Sequence, residues 1–195
     1  HFKQLKMKKE NSIIIGSGVI GGYLAKLLLS KKQRVIVTSR KIKKTYTNYN
    51  KLNIENKIIF EELDVLKKKK ILKLLKKYTP KNVFYFSGQS SLTKSIKLKK
   101  VTNDSNYIGA KKFLEILHKY KLKTNFYKAN SGYIFKPNKG LVNIKSKISE
   151  NKNPYILSQI KAYKEVKKFR KKGVSCCSII FLQVESPLRD NDFFI

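Results

Sequence analysis

Short apolar runs alternate with amphipathic stretches along the whole chain. Residues 12–15, 34–38, 57–60, 83–86, 125–129 and 175–182 are rich in Ile, Val, Phe and other strand formers. Runs that stay apolar throughout, 83–86 the clearest, predict strands covered on both faces. Between them, apolar residues recur at helical spacing. Tyr23, Ala25, Leu27, Leu28 and Leu29 predict a helix face that ends near Lys31. Ile71, Leu72, Leu74 and Leu75 predict a lysine-rich surface helix over 67–78, and Ile108, Phe113, Leu114, Ile116 and Leu117 a helix over 106–121. Pro154 suits the first turn of a helix over 155–171, which Gly173 stops. Residues 41–56 and 136–153 are polar and read as loops. This alternation predicts an α/β fold, a doubly wound and mostly parallel sheet. No repeat or linker divides the chain, so 1–195 reads as one domain. Residues 1–10 read as a disordered or non-native start, with Met7 as the true beginning and 1–6 as an upstream remnant.

The first strand runs straight into Gly16-Ser17-Gly18-Val19-Ile20-Gly21, a G-x-G-x-x-G turn that opens a helix. The first glycine permits the tight turn, the second lets backbone approach a pyrophosphate, and the third lets helix and strand pack closely. The helix N-terminus offers free N–H groups and a partial positive charge to phosphates. The second strand ends in Thr38-Ser39-Arg40-Lys41 with no acid to hold ribose hydroxyls. That favours NADP, with Arg40 on the extra phosphate, over NAD; the plain alternative makes Arg40 one more surface cation. Asp64 ends the third strand and suits either an adenine edge or a helix N-cap. The fourth strand ends in the small polar loop Ser87-Gly88-Gln89-Ser90-Ser91, and the fifth runs into Asn130-Ser131-Gly132-Tyr133. Ligands of open α/β sheets bind at this carboxyl edge. Tyr155, at the start of a helix, can act as acid and base toward a sugar hydroxyl or carbonyl, and Ser131 can hydrogen-bond the same oxygen. A lysine one turn beyond the tyrosine would lower its pKa and hold the nicotinamide ribose, but that position is Gln159.

Composition narrows the partners. Hydrophobic content of 41% with 11% aromatics marks a folding chain. The formal charge of +33 is carried almost entirely by Lys, with Arg only at 34, 40, 170 and 189. A dedicated nucleic-acid surface draws on Arg for bidentate contacts. The abundance of Lys, Asn and Ile throughout points instead to compositional bias, so no specific nucleic-acid partner is expected. The adjacent Cys176 and Cys177 make a poor bridge and read as free thiols of a reducing compartment, consistent with the cytoplasm. His1 and His118 cannot build a metal site, and His118 reads as a solvated helix residue. No apolar run nears the ~20 residues of a membrane span. The basic N-terminus lacks the apolar core of a signal peptide.

Six stretches carry a resemblance: GGYLAKLLL (21–29), FSGQSS (86–91), IGAKKFLEIL (108–117), NFYKANSGYIF (125–135), NPYILSQIKAY (153–163) and VESPLR (184–189). In that order they resemble the extended short-chain dehydrogenases/reductases of Rossmann type, and within them the GDP-mannose 4,6-dehydratases. The resemblance implies NADP and a GDP-sugar substrate, oxidised at C4, dehydrated across C5 and C6, and reduced at C6. By matched position it implies that Gly16 to Gly21 hold the pyrophosphate and Arg40 the 2′-phosphate. Asp64 and Val65 would lie by the adenine, and Phe86, Ser87, Gly88, Gln89 and Ser90 along the cofactor. Gln159 and Arg189 would also lie on the cofactor side, with Ser131, Tyr155 and Gln159 as the catalytic group. Four departures accompany the match. The glycine turn is one residue short, Gln159 replaces the lysine of Y-x-x-x-K, Tyr133 replaces the elimination glutamate, and Val184 replaces a histidine. They open a second reading, a related NAD(P)-dependent epimerase or reductase, and a third, a non-catalytic cofactor-binding homologue. The family's substrate lobe is largely missing, as in a fragment or truncated relative. Family members pair through the helices matching 106–121 and 155–171, which implies a homodimer or a tetramer.

Overall fold

A computed structural model describes residues 9–42 and 46–188. Six strands form one parallel sheet in the order β3-β2-β1-β4-β5-β6. They are β1 (Asn11–Ile15), β2 (Arg34–Ser39), β3 (Ile59–Glu62), β4 (Asn82–Tyr85), β5 (Asn125–Ser131) and β6 (Cys176–Phe181). The chain starts at the centre, moves outward through β2 and β3, then crosses back to β4. β1 therefore lies between β2 and β4, with Ile15 paired to Thr38 on one side and Tyr85 on the other. The order reverses there, which is where such sheets bind ligands. Residues 1–8 and Arg189 lie outside the described residues, but Glu10 belongs to the fold. Its carbonyl accepts from the Arg34 amide and its carboxylate pairs with Lys81.

The alternation within each strand sorts its side chains onto two faces. Ile14, Val35 and Val37 pack with Ala25, Leu28, Tyr49 and Leu52 under α1 (Val19–Ser30) and α2 (Tyr46–Lys51). On the other face Ile13, Ile15, Ile36, Val83, Tyr85 and Phe126 meet α3 (Lys68–Tyr78) and the long helices that follow. The Tyr85, Phe113 and Phe126 rings lie 5.7 to 5.9 Å apart at the centre of that layer. Truncating Phe113, fully buried, to Ala would cost about 3–5 kcal/mol.

Three local expectations are corrected. The region read as a loop over 41–56 holds α2 and a short 3-10 turn, Glu55–Lys57, because Tyr49 alone, fully buried against Phe60, anchors a helix that is otherwise polar. The predicted face of α1 is displaced: Gly21, Gly22, Ala25 and Leu28 are buried, whereas Tyr23 and Leu27 are exposed. The helix read over 106–121 starts earlier and is not uniform. α4 (Leu92–Lys97) leads into α5 (Lys99–Asn103), a π-turn at Asp104–Ile108, and α6 (Gly109–Lys119). At the π-turn the Ser105 carbonyl accepts from the Tyr85 hydroxyl at 2.6 Å, and a Cβ on Gly109 would lie 2.2 Å from that hydroxyl. The irregular turn lets the helix sit directly on β4. The last helix, α7 (Pro154–Lys171), follows the polar excursion as expected.

Candidate functional site

The glycine turn lies between the ends of β1, β2 and β4. The Gly16 amide donates to the Thr38 carbonyl. Gly16 has φ +103°, and a Cβ there would come within 2.7 Å of the Ser87 amide, so only glycine can join the turn to the β4 loop. Gly21 packs equally closely on the Gly16 carbonyl. Around Gly18, by contrast, a Cβ would meet nothing within 4 Å. Gly18 is also the N-cap of α1, makes no side-chain cap, and precedes a first turn without acidic residues. The uncapped N–H groups of α1 thus face open space that a phosphate can fill. Ser17, Val19 and Ile20 border this space, each half-buried. Arg40 is exposed just beyond β2.

Of the two alternatives offered for Asp64, the structure rules out the helix N-cap. Asp64 Oδ1 accepts from the Leu66 amide at 2.9 Å, an Asx-turn, while the N-cap of α3 is Lys67. Val65 is buried in the core beside Gly109. Phe86 is half-buried and packs on the Phe181 ring, and Ser87 to Ser90 form the rim next to the glycine turn. Asn106, in the π-turn and buried, donates to the Gln89 carbonyl and to Ser158 Oγ, each at 3.0 Å. It fixes the loop to α7. Gln89 Oε1 is buried and lacks a hydrogen-bond partner among the described residues, which leaves an acceptor waiting at the rim. Open glycine cradle, free helix N-terminus and orphaned acceptor together fit a dinucleotide.

Ser131, Tyr155 and Gln159 converge at the end of β5, each less than a tenth exposed. Asn153 caps α7, accepting from the Tyr155 amide at 2.9 Å while donating to the Leu92 carbonyl. That cap, with Pro154 in the first turn, places Tyr155 over β5. Ser131 and Gln159 lie beside the Tyr155 phenol. Burial raises the phenol above its ordinary value, Tyr133 adds to the rise, and the neighbouring Ser131 and Gln159 oppose it. Tyr133 itself is 58% exposed at the mouth of this group. Among the described residues no cluster of His, Cys, Asp and Glu could hold a metal ion, and no helix is long and apolar enough to cross a membrane. Cys176 and Cys177 are free thiols, and burial pushes Cys176 up to about 11.

Two site residues escaped the sequence reading. Asn106 is legible only through the π-turn. Lys128 is buried in β5, with its Nζ 3.4 Å from Gln159 Oε1. The available signal was its place in strict alternation with Phe126 and Asn130, an inward position where a lysine is anomalous.

A parallel sheet in this order, with a glycine turn at its switch point, defines the Rossmann-type doubly wound fold. The family model for GDP-mannose 4,6 dehydratase matches residues 13–195, and the chain belongs to that family. Solved structures share the fold. A UDP-glucuronic acid 4-epimerase from Bacillus cereus, in complex with UDP-glucuronic acid and NAD, is 17% identical with a TM-score of 0.81, over 94% of this chain and 60% of its own. A dTDP-glucose 4,6-dehydratase from Bacillus anthracis, in complex with NAD, is 16% identical with a TM-score of 0.79, over 94% and 58%. A UDP-glucose 4-epimerase from Thermotoga maritima with UDP-glucose is 21% identical with a TM-score of 0.76, over 92% and 58%. The chain thus spans little more than half the length of these structures. No sequence among the curated proteins matches.

Proposed function

We propose that this chain is the cofactor-binding part of a nucleotide-sugar 4,6-dehydratase that uses NADP and acts on GDP-mannose. One observation carries the reading: a buried tyrosine beside the buried Ser131 and Gln159, at the same sheet edge as an open glycine cradle. The family membership and the NAD-bound neighbours support a nicotinamide cofactor. Arg40, exposed at the end of a strand without a terminal acid, favours the extra phosphate of NADP. In this reading Gly16 to Gly21 and the α1 N-terminus hold the pyrophosphate. Asp64 and Val65 border the adenine and Phe86 to Ser90 line the cofactor; Arg189, outside the described residues, matches a cofactor-side arginine of the family by position. The bound cofactor supplies the hydride acceptor. Tyr155 takes the proton from the sugar hydroxyl, Ser131 holds that oxygen, and Gln159 orients the phenol.

A second reading, an epimerase or reductase, is favoured by Tyr133. It occupies the position of the elimination glutamate with no carboxylate to move a proton at C5. Fluorescence titration should show NADPH binding more tightly than NADH. Arg40→Ala should erase most of that preference, a loss of about 1.4 kcal/mol or tenfold. If neither nucleotide binds, both readings fail. Incubation with GDP-mannose and NADP should give a 4-keto-6-deoxy sugar. Conversion of a 4-keto sugar without loss of water would instead support the second reading.

A further inference from the structure

Lys128 is buried to 2% exposure midway along β5, with no carboxylate paired to it among the described residues. An unpaired buried ammonium costs several kcal/mol, and folds keep such groups where they act. Its Nζ donates to the Ala129 carbonyl and to Gln159 Oε1, and lies 5.6 Å from the centre of the Tyr85 ring. A lysine that donates to Oε1 fixes which way the Gln159 amide points. The Nε2–H group is then the end left for the Tyr155 oxygen. The amide that replaces a lysine in α7 is therefore itself held by a lysine from β5.

We propose that Lys128 is a positioning residue that supplies, from β5, the cation absent at position 159, with Gln159 relaying its polarity to Tyr155. The inference rests on the reading of Tyr155 as the acid–base group. While Lys128 is charged it polarises the Gln159 carbonyl, which makes Nε2–H a stronger donor and favours the phenolate of Tyr155. When Lys128 loses its proton this support fades. The neighbours of Lys128 leave it as the group that titrates near neutrality. β4 presents Tyr85, which burial pushes far up, β6 presents the uncharged Ser178, and α7 presents Gln159 and Tyr155, whose phenol is raised. Burial brings Lys128 down to about 7.

The test follows the relay by NMR in the chain alone, without cofactor or sugar. In wild type, the Gln159 side-chain amide and the Tyr155 Cζ resonance (assigned with Tyr155→Phe) should share a titration step near pH 7. Lys128→Met should abolish the step at both. Gln159→Leu, which leaves Lys128 in place, should abolish it at Tyr155 while the Lys128 side chain still titrates. This variant keeps the test alive should Lys128→Met fail to fold. A Tyr155 resonance that ignores pH near 7 in wild type, or keeps its step in a folded Gln159→Leu, would overturn the proposal. Neither outcome depends on turnover, so failure of the nucleotide-sugar reading is seen separately, in the NADPH titration. Where turnover dependent on Tyr155 is measurable, Lys128→Met should slow it about tenfold below pH 7, the equivalent of one pKa unit at Tyr155, and converge on wild type above pH 8. Equal slowing at every pH would mean a structural role only.

Discussion

Lys128 has a consequence for stability that is independent of catalysis. Its folded value of about 7 lies below the ordinary 10.5, so the native state resists protonation. Below pH 7 the lysine is charged in both states and the full cost of burying the charge falls on the native protein. Between 7 and 10.5 the unfolded chain holds a proton that the native chain has released, and native stability rises with pH, by up to about 1.4 kcal/mol per unit. Above 10.5 the penalty is gone. Urea denaturation across this range should therefore show wild type gaining on Lys128→Met as pH rises. The comparison cancels the other lysines, which both proteins share. Parallel curves would show that Lys128 titrates normally.

At the scale of elements, the cradle separates folding from binding. Ala at position 16 is forced into a left-handed backbone and against the Ser87 amide, so Gly16→Ala should destabilise by about 1–3 kcal/mol and remove nucleotide binding. Gly18→Ala meets no atom and keeps an ordinary φ of −73°, so stability should change by less than about 1 kcal/mol. The added methyl would nonetheless occupy the space proposed for pyrophosphate, and NADPH affinity should fall. Chemical denaturation beside nucleotide titration distinguishes the two; unchanged affinity in Gly18→Ala would place the phosphates elsewhere. Asn153→Ala removes the α7 cap and should cost about 1 kcal/mol. It should also broaden the Tyr155 resonance, because the cap fixes the first turn of α7.

These elements also show what the sequence could reveal. The six strands and the glycine turn were legible because strands buried on both faces and a strand–glycine–helix order leave strong local patterns. α2 was not, since YTNYNK has no apolar period and depends on Tyr49 reaching the core. The π-turn was not, since it answers to Tyr85 and Asn106 across the fold. The sequence pattern marks Ser131, Tyr155 and Gln159, which lie together and buried at the end of β5, but Lys128 is hidden in a composition in which lysine is everywhere.

For the whole molecule, charge is the dominant global term. With 45 Lys and Arg against 12 Asp and Glu, most cations have no acid to meet. The ion pairs that form, such as Lys68–Glu115 at 2.6 Å and Lys100–Asp104 at 2.8 Å, involve exposed lysines and add little stability. The uncompensated charge repels itself and weakens the compact state. Raising ionic strength from about 0.01 M to 0.15 M shortens the screening length from about 30 Å to about 8 Å. Thermal denaturation should therefore shift upward over that range. The same positive field attracts nucleotide phosphates, and screening weakens the attraction, so NADPH affinity should fall as stability rises. Binding to DNA should disappear over the same salt range without regard to sequence, as expected for diffuse charge. DNA affinity that outlasts 0.15 M salt and depends on sequence would contradict this, and would make the lysines a surface with a partner rather than a compositional bias.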